Sequence, residues 1–324
     1  MFKVIKSGLE SSIQDWPGRI GHFNKGFPPS GPMDSWSFRL ANLLVGNSSD
    51  DAGIECQFIG PELRFLEDSV IAITGADMQP KIDGKPCAMW ESIFIKAGQT
   101  IEMSYATSGA RSYLAVAGGI LADVSLGSRA TFDAAGIGGV GGHALKDGQA
   151  IKSGAHRSRM FGQRLLTGSR PKISTNCTWE IEVVAGPNDD WIDQEGHERF
   201  LNSEWKVSAK SNRMGMRLEG PDWTFSEKAF TKLPENGSEP ANIIDQGYPI
   251  GAINLAGQTP IILLNDGPSM GGFINPYTVP QCSMWKLGQA RPGEIFKFEV
   301  ISVSEAQEKA REIKLLCSDK SLVR

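Results

Sequence analysis

No apolar run in this sequence approaches the roughly 18 residues that a membrane-crossing helix needs. The segment MFKVIKSGLESS (1–12) holds no run of signal-peptide length either. The five cysteines (Cys56, Cys87, Cys177, Cys282 and Cys317) are odd in number, scattered and free of any CxxC pair. That pattern argues against a disulfide framework, and reduced thiols in a cytoplasmic protein are the expectation. Only four histidines occur, each isolated, so no metal site is expected. A dominant charge is missing as well: 33 basic residues stand against 37 acidic ones. Neither nucleic acid nor a membrane surface is therefore expected as a main partner. The GxxxxGK[ST] loop that cradles phosphates is absent.

What the chain has in plenty is glycine, at 37 of 324 residues, with 18 prolines beside it. The usual glycine share is about 7%. Such a composition suits many short strands joined by tight turns, because glycine supplies positive φ and proline presets φ. Runs such as SVIAITGAD, RSYLAVAGGI, WEIEVVAGP and EIFKFEVISV read as strands bounded by Gly, Pro or Asp. DSWSFRLANLLVG reads as a helix instead, with Asp34 or Ser35 as cap, Trp36, Leu40 and Leu43/Leu44 at helical spacing, and Gly46 as the stop. A second helix is expected at VSEAQEKAREIKLL. The glycine-rich GIGGVGGHALKDG has no strand-to-helix frame around it and reads as a loop.

The halves of the chain also echo each other. AMWESIFIKAGQTIEM (88–103) aligns without gaps to SMWKLGQARPGEIFKF (283–298), and GPELRF (60–65) to GPDWTF (220–225). The order is the same in both halves, which implies a mainly β protein of two related β-barrel-like domains with a few short helices. The expected division is a first domain over 1–155, a basic linker over 156–175 and a second domain over 176–324.

The loops carry the polar residues. SIQDWPGRIG holds Gln14, Asp15 and Arg19, and FPPSGPMDS holds Asp34 behind three prolines. SNRMGMRL holds Arg213 and Arg217, and NDGPSMGGF follows a strongly apolar strand with Asp266. Proline-stiffened loops present polar groups to a ligand at small entropic cost. The same residues have ordinary structural uses: Asp34 as helix cap, Asp15 and Asp266 in turns, the arginines in ion pairs.

These same segments, QDWPGRIGHFNKGFPPSGPMDSWSFRLANLLVGN, IAITGADM, LGSRATF, SNRMGMRLEGP, IGAINLAGQTPIILLNDGPSMGGF and WKLGQARPG, resemble the carboxyltransferase region of urea carboxylase. They also resemble the related stand-alone proteins called allophanate hydrolase subunit 2, or KipA-like. The resemblance implies cyclophilin-like barrels and a subunit that works with a KipI-like (subunit 1) partner. It implies a carboxyltransferase moving a carboxyl group from carboxybiotin to urea or a related amide or guanidine compound. A biotin carboxylase and a biotin carrier would be further partners. No Met-Lys-Met occurs, so biotin would be carried by a partner, and ATP would be used only by partner subunits. Two alternatives are the C-subunit of an ATP-dependent 5-oxoprolinase and a non-catalytic regulatory partner. By motif position, Asp34, Arg213 and Arg217 would be catalytic, while Gln14, Ser30, Gly31, Pro32, Met33, Asp266, Gly267 and Ser269 would bind substrate.

Overall fold

The structure, a computed structural model, describes residues 1–155 and 161–323. They are mostly strands, and the chain divides into two compact units. The first comprises Met1–His22, Pro29–Ile173 and Glu312–Arg324; the second comprises Phe23–Pro28 and Ser174–Arg311.

The first unit is built on a seven-stranded and a five-stranded sheet. In the five-stranded sheet the order is Glu10–Gln14, Gly53–Gln57, Ser108–Val116, Ser69–Asp77, Ser92–Ile95, all antiparallel. The strand Ser69–Asp77 is apolar over most of its length because both of its faces are covered. Ile71 and Ile73 enter one core with Phe2, Leu63 and Ile101, while Val70 and Ala72 enter another with Phe38, Leu40 and Leu44. The last three belong to the helix Ser35–Leu44, which starts and stops where the sequence predicts, with Gly46 at φ +73° beyond its end.

The second unit closes into a seven-stranded barrel, in the order Thr178–Ala185, Tyr277–Thr278, Ala252–Ala256, Thr259–Leu263, Gly215–Glu219, Trp205–Val207, Ile295–Val300. Thr178–Ala185 and Ile295–Val300 run parallel and seal it, Thr178 opposite Ile295 through to Val183 opposite Val300. Only strands far apart in sequence can pair in this way without a tight turn. Phe200 fills the interior, its ring 4.4 Å from that of Phe298, 4.6 Å from Tyr277 and 4.9 Å from Trp223. A separate two-stranded sheet pairs Asn242–Gly247 with Met270–Phe273. Among the described residues no helix is long and apolar enough to cross a membrane.

The expected linker differs from what is observed. Residues 156–160 lie outside the described residues, but the chain beyond them is bound into the first unit. Arg164 pairs with both oxygens of Glu91 at 2.9 and 3.2 Å, Leu165 bridges to Leu322, and Ser169 O accepts from Trp36 Nε1 at 3.0 Å. A basic stretch reads as solvated when its distant acidic partner is invisible in sequence. Similarly, the segment from Glu312 onward belongs to the first unit rather than the second.

One buried charge cluster in the barrel unit governs its acid behaviour. Burial alone would push the Glu182 carboxyl up, but hydrogen bonds from Lys286 and Ser283, the Lys286 charge and a bond from Lys309 hold it down at about 2. A depressed carboxyl contributes stability that is complete above its unfolded value and lost as pH falls toward its folded one. The wild type is therefore expected to lose stability between about pH 4.5 and about 2 through this group. Glu182→Gln should flatten that part of the acid-unfolding profile, and an unchanged profile would refute the assignment.

Candidate functional site

In the first unit the loop after Pro29 is held from inside. Gly31 sits at φ +80°, where a Cβ would come within 3.0 Å of Asp15 O, so no other residue fits there without movement. Its N–H donates to Gln14 Oε1 at 3.0 Å, and Gln14 Nε2 donates to Ser12 Oγ at 2.9 Å. Met33 N–H donates to Glu55 Oε2 at 2.7 Å, and the Tyr113 hydroxyl donates to the same oxygen at 2.9 Å. Asp34 N–H in turn donates to that hydroxyl at 2.7 Å. Burial pushes the Tyr113 phenol well above its ordinary value, with the charges of Glu55 and Asp34 adding to the effect, so it stays a donor.

Asp34 itself is fully buried. Its Oδ1 accepts from Ser37 N at 2.9 Å and its Oδ2 from Ser37 Oγ at 2.5 Å, which makes it the cap of the helix Ser35–Leu44. Gln14, Ser30, Gly31, Pro32 and Met33 are buried too. This group of expected ligand contacts is thus packed inside the first unit. Each Asp34 oxygen accepts one bond from Ser37 and keeps a further lone pair.

The expected residues of the second unit are disposed differently. Arg213 and Asp266 form a buried ion pair, Nε to Oδ2 at 2.8 Å, and Asp266 N–H donates to Arg213 O at 3.0 Å. The pair fastens the loop around Asn212 to the loop Asn265–Ser269. A Cβ on Gly267 would meet Met214 O at 2.8 Å, so glycine is what permits that approach. Arg213 thus belongs to this loop pair, whereas Arg217 lies on the strand Gly215–Glu219 and is exposed.

Between these loops and the two-stranded sheet lies a cleft of about 330 Å³. Met214, Ile261, Leu263, Met270 and Phe273 give it apolar walls, and Lys210 and Arg217 stand at it as cations. No Asp or Glu lines it, and neither cation has an ion-pair partner among the described residues. Tyr248 lies behind Gly271, its hydroxyl accepting from Phe273 N–H at 2.6 Å. A larger groove of about 620 Å³ in the first unit is of another kind, because Glu62, Glu102 and Asp147 balance Lys6 and Lys81 there. An acid-free cleft with two cations and apolar walls is suited to holding a small carboxylate. Residues 25–300 match the family described as "Carboxyltransferase domain, subdomain A and B".

The chain belongs to this family. Among carboxyltransferase-domain relatives, the urea amidolyase of Saccharomyces cerevisiae is 38% identical over 313 residues, covering 94% of this chain and 17% of that protein. The C-subunit of the Escherichia coli 5-oxoprolinase is 33% identical over 312 residues, covering 94% of this chain and 93% of that protein. The crystal structure of the Kluyveromyces lactis urea carboxylase superposes with a TM-score of 0.91 at 36% identity, over 99% of this chain and 30% of that one. This chain therefore spans only about a sixth of the length of the urea amidolyase that it matches.

The sequence reading missed Lys210, Tyr248 and, above all, Asn254. This asparagine lies at the cleft on the strand Ala252–Ala256, is 3% exposed, and its Oδ1 has no hydrogen-bond partner among the described residues. A polar residue inside the apolar run IGAINLAG was the available signal. Ser269 is half-buried on the loop beside the cleft, and its carbonyl accepts from Tyr248 N–H at 2.8 Å.

Proposed function

We propose that this chain is a cytoplasmic subunit of a carboxyltransferase that moves a carboxyl group from carboxybiotin to urea or a related amide or guanidine compound. It works with a KipI-like (subunit 1) partner, and biotin is carried by another chain. The observation that supports this reading is the cleft of the barrel unit, where Lys210 and Arg217 meet apolar walls and no acid. Carboxybiotin, when delivered, supplies an activated carboxyl group. Arg217 takes the carboxylate with its two-pronged guanidinium, and Lys210 adds a second positive charge. Met214, Met270 and Phe273 offer apolar contact to the rest of the ligand, and Arg213 with Asp266 holds the loops in register without touching it. Positioning of this kind supplies much of the rate gain in group transfer.

The test is reconstitution of the full chain with its subunit 1 partner, followed by measurement of carboxybiotin loss with urea, guanidine and simple amides. Arg217→Ala is expected to lower kcat/KM by about 10²-fold, about 2.7 kcal/mol of transition-state binding. Arg217→Lys should recover part of the loss. Absence of any substrate-dependent loss of carboxybiotin would sink the reading. The near-complete match to the C-subunit of 5-oxoprolinase favours a second reading, a subunit of an ATP-dependent 5-oxoprolinase. ATP-dependent opening of 5-oxoproline by the reconstituted complex, with no carboxyl transfer, would establish it in place of the first.

A further inference from the structure

We propose that Met214 and Met270 are a site of reversible peroxide oxidation, and that their sulfoxides shut the barrel cleft to a carboxylate. The inference rests on the reading of this cleft as the part of the chain that holds an anion, and adds a means of controlling it. Ten methionines occur in the sequence. Among those described, Met33, Met78, Met103 and Met216 are at most 6% exposed, whereas Met214 and Met270 alone are exposed, at 45% and 59%. Both of the exposed ones line the cleft where Lys210 and Arg217 stand. They reach it from different elements. Met214 follows Arg213 in its loop, its N–H donating to Asn212 Oδ1 at 2.8 Å and its carbonyl accepting from Leu264 N–H at 3.1 Å. Met270 lies on the two-stranded sheet, opposite Gly247.

An accessible thioether reacts with a peroxide without first losing a proton. An S–O bond forms as the O–O bond breaks, and the departing hydroxide takes the proton of the transferred hydroxyl. Sulfoxide and water are left, with sulfur oxidised by two electrons and the peroxide reduced. Thiols compete only as thiolates. Burial pushes the Cys87 thiol up to about 11 and those of Cys56 and Cys317 up to about 12, and Cys177 is the exposed one. The oxidation changes what the cleft offers. A pliable apolar wall becomes a polar one whose S=O oxygen accepts hydrogen bonds. Lys210 and Arg217 are donors only. No Asp or Glu lines the cleft, so the sulfoxide oxygens compete with a carboxylate for these two cations. Ile261 and Leu263 on the same walls show that aliphatic side chains fit there, and only the thioethers add this chemistry.

The test uses the full-length chain carrying Cys177→Ser, which removes the exposed thiol. Peptide mapping by mass spectrometry after graded hydrogen peroxide should find Met214 and Met270 oxidised at least about tenfold faster than Met33, Met78, Met103 and Met216. Benzoate, a carboxylate with an apolar body, is then titrated calorimetrically. It should bind the reduced chain, bind the oxidised chain at least about tenfold more weakly, and recover its affinity after treatment with methionine sulfoxide reductases. Met214→Leu combined with Met270→Leu, compared only with itself before and after peroxide, should show no change. Arg217→Gln should bind benzoate weakly in both states. Oxidation of the buried methionines at the same rate, benzoate affinity that oxidation leaves unchanged, an equal loss in the double leucine variant, or no binding to the reduced chain overturns the inference. Selective oxidation with the stated loss, but no carboxyl transfer on reconstitution, leaves the inference standing and removes only the reading of function. Carboxyl transfer with benzoate binding indifferent to oxidation does the reverse.

Discussion

Arg213→Ala is expected to destabilise the barrel unit by about 3–5 kcal/mol, a loss on the scale of a whole domain's net stability. The side chains of Arg213 and Asp266 are 9% and 8% exposed, so removing the guanidinium strands a carboxylate away from water. The cost comes mainly from that stranded charge. Arg213→Met combined with Asp266→Leu, which removes both charges, should therefore be far milder than Arg213→Ala alone. Urea unfolding followed by tryptophan fluorescence is a suitable measurement, because Trp179, Trp191, Trp205, Trp223 and Trp285 all lie in this unit. Arg217→Ala serves as the control and should stay within about 0.5 kcal/mol of wild type, since its side chain is exposed. A loss below about 1 kcal/mol for Arg213→Ala would mean that water reaches Asp266 and that the pair does not set the loops.

These two arginines mark how far the sequence can be read. They lie four residues apart in SNRMGMRL, a segment that stands out in sequence together with NDGPSMGGF. Which arginine is buried depends on whether a carboxylate 53 residues away folds back onto it, and that is a tertiary fact. The helix Ser35–Leu44 is legible because its cap, its apolar spacing and its glycine stop are all local signals. The helix Gln281–Gln289 is not. It follows Pro280 with no side-chain cap, and its Met284-Trp285 aligns with Met89-Trp90, which lies outside any helix or strand. The echo holds further along, where Thr100–Glu102 and Ile295–Val300 are both strands. It fails at GPDWTF, which forms no strand although GPELRF leads into Glu62–Phe65. The mainly β class follows from composition and turns. Strand order does not, because the seal between Thr178–Ala185 and Ile295–Val300 joins segments at opposite ends of the unit.

Glu55→Ala is expected to cost the first unit about 3–5 kcal/mol, although Glu55 touches no cavity described above. Its carboxylate is 3% exposed; Oε2 accepts from Met33 N–H and from the Tyr113 hydroxyl, and Oε1 lies 3.5 Å from Arg111 Nε. Truncation leaves a buried guanidinium without its carboxylate and two donors without an acceptor. Tyr113→Phe should be milder, at about 1–3 kcal/mol, because it deprives only Asp34 N–H of its acceptor and frees one lone pair of Glu55. The double variant decides the matter. If the residues act as one network, Glu55→Ala with Tyr113→Phe should cost less than the sum of the two by at least about 0.5 kcal/mol. Strict additivity would mean that Met33 and Asp34 are held independently and that the loop is stiffened by its prolines alone. A coupled result assigns FPPSGPMDS to the supporting framework, where proline limits the loop's conformations, Glu55 fixes its course and Asp34 starts the helix. Such a loop is constrained from within, and a strongly recognisable sequence there reflects the demands of that interior.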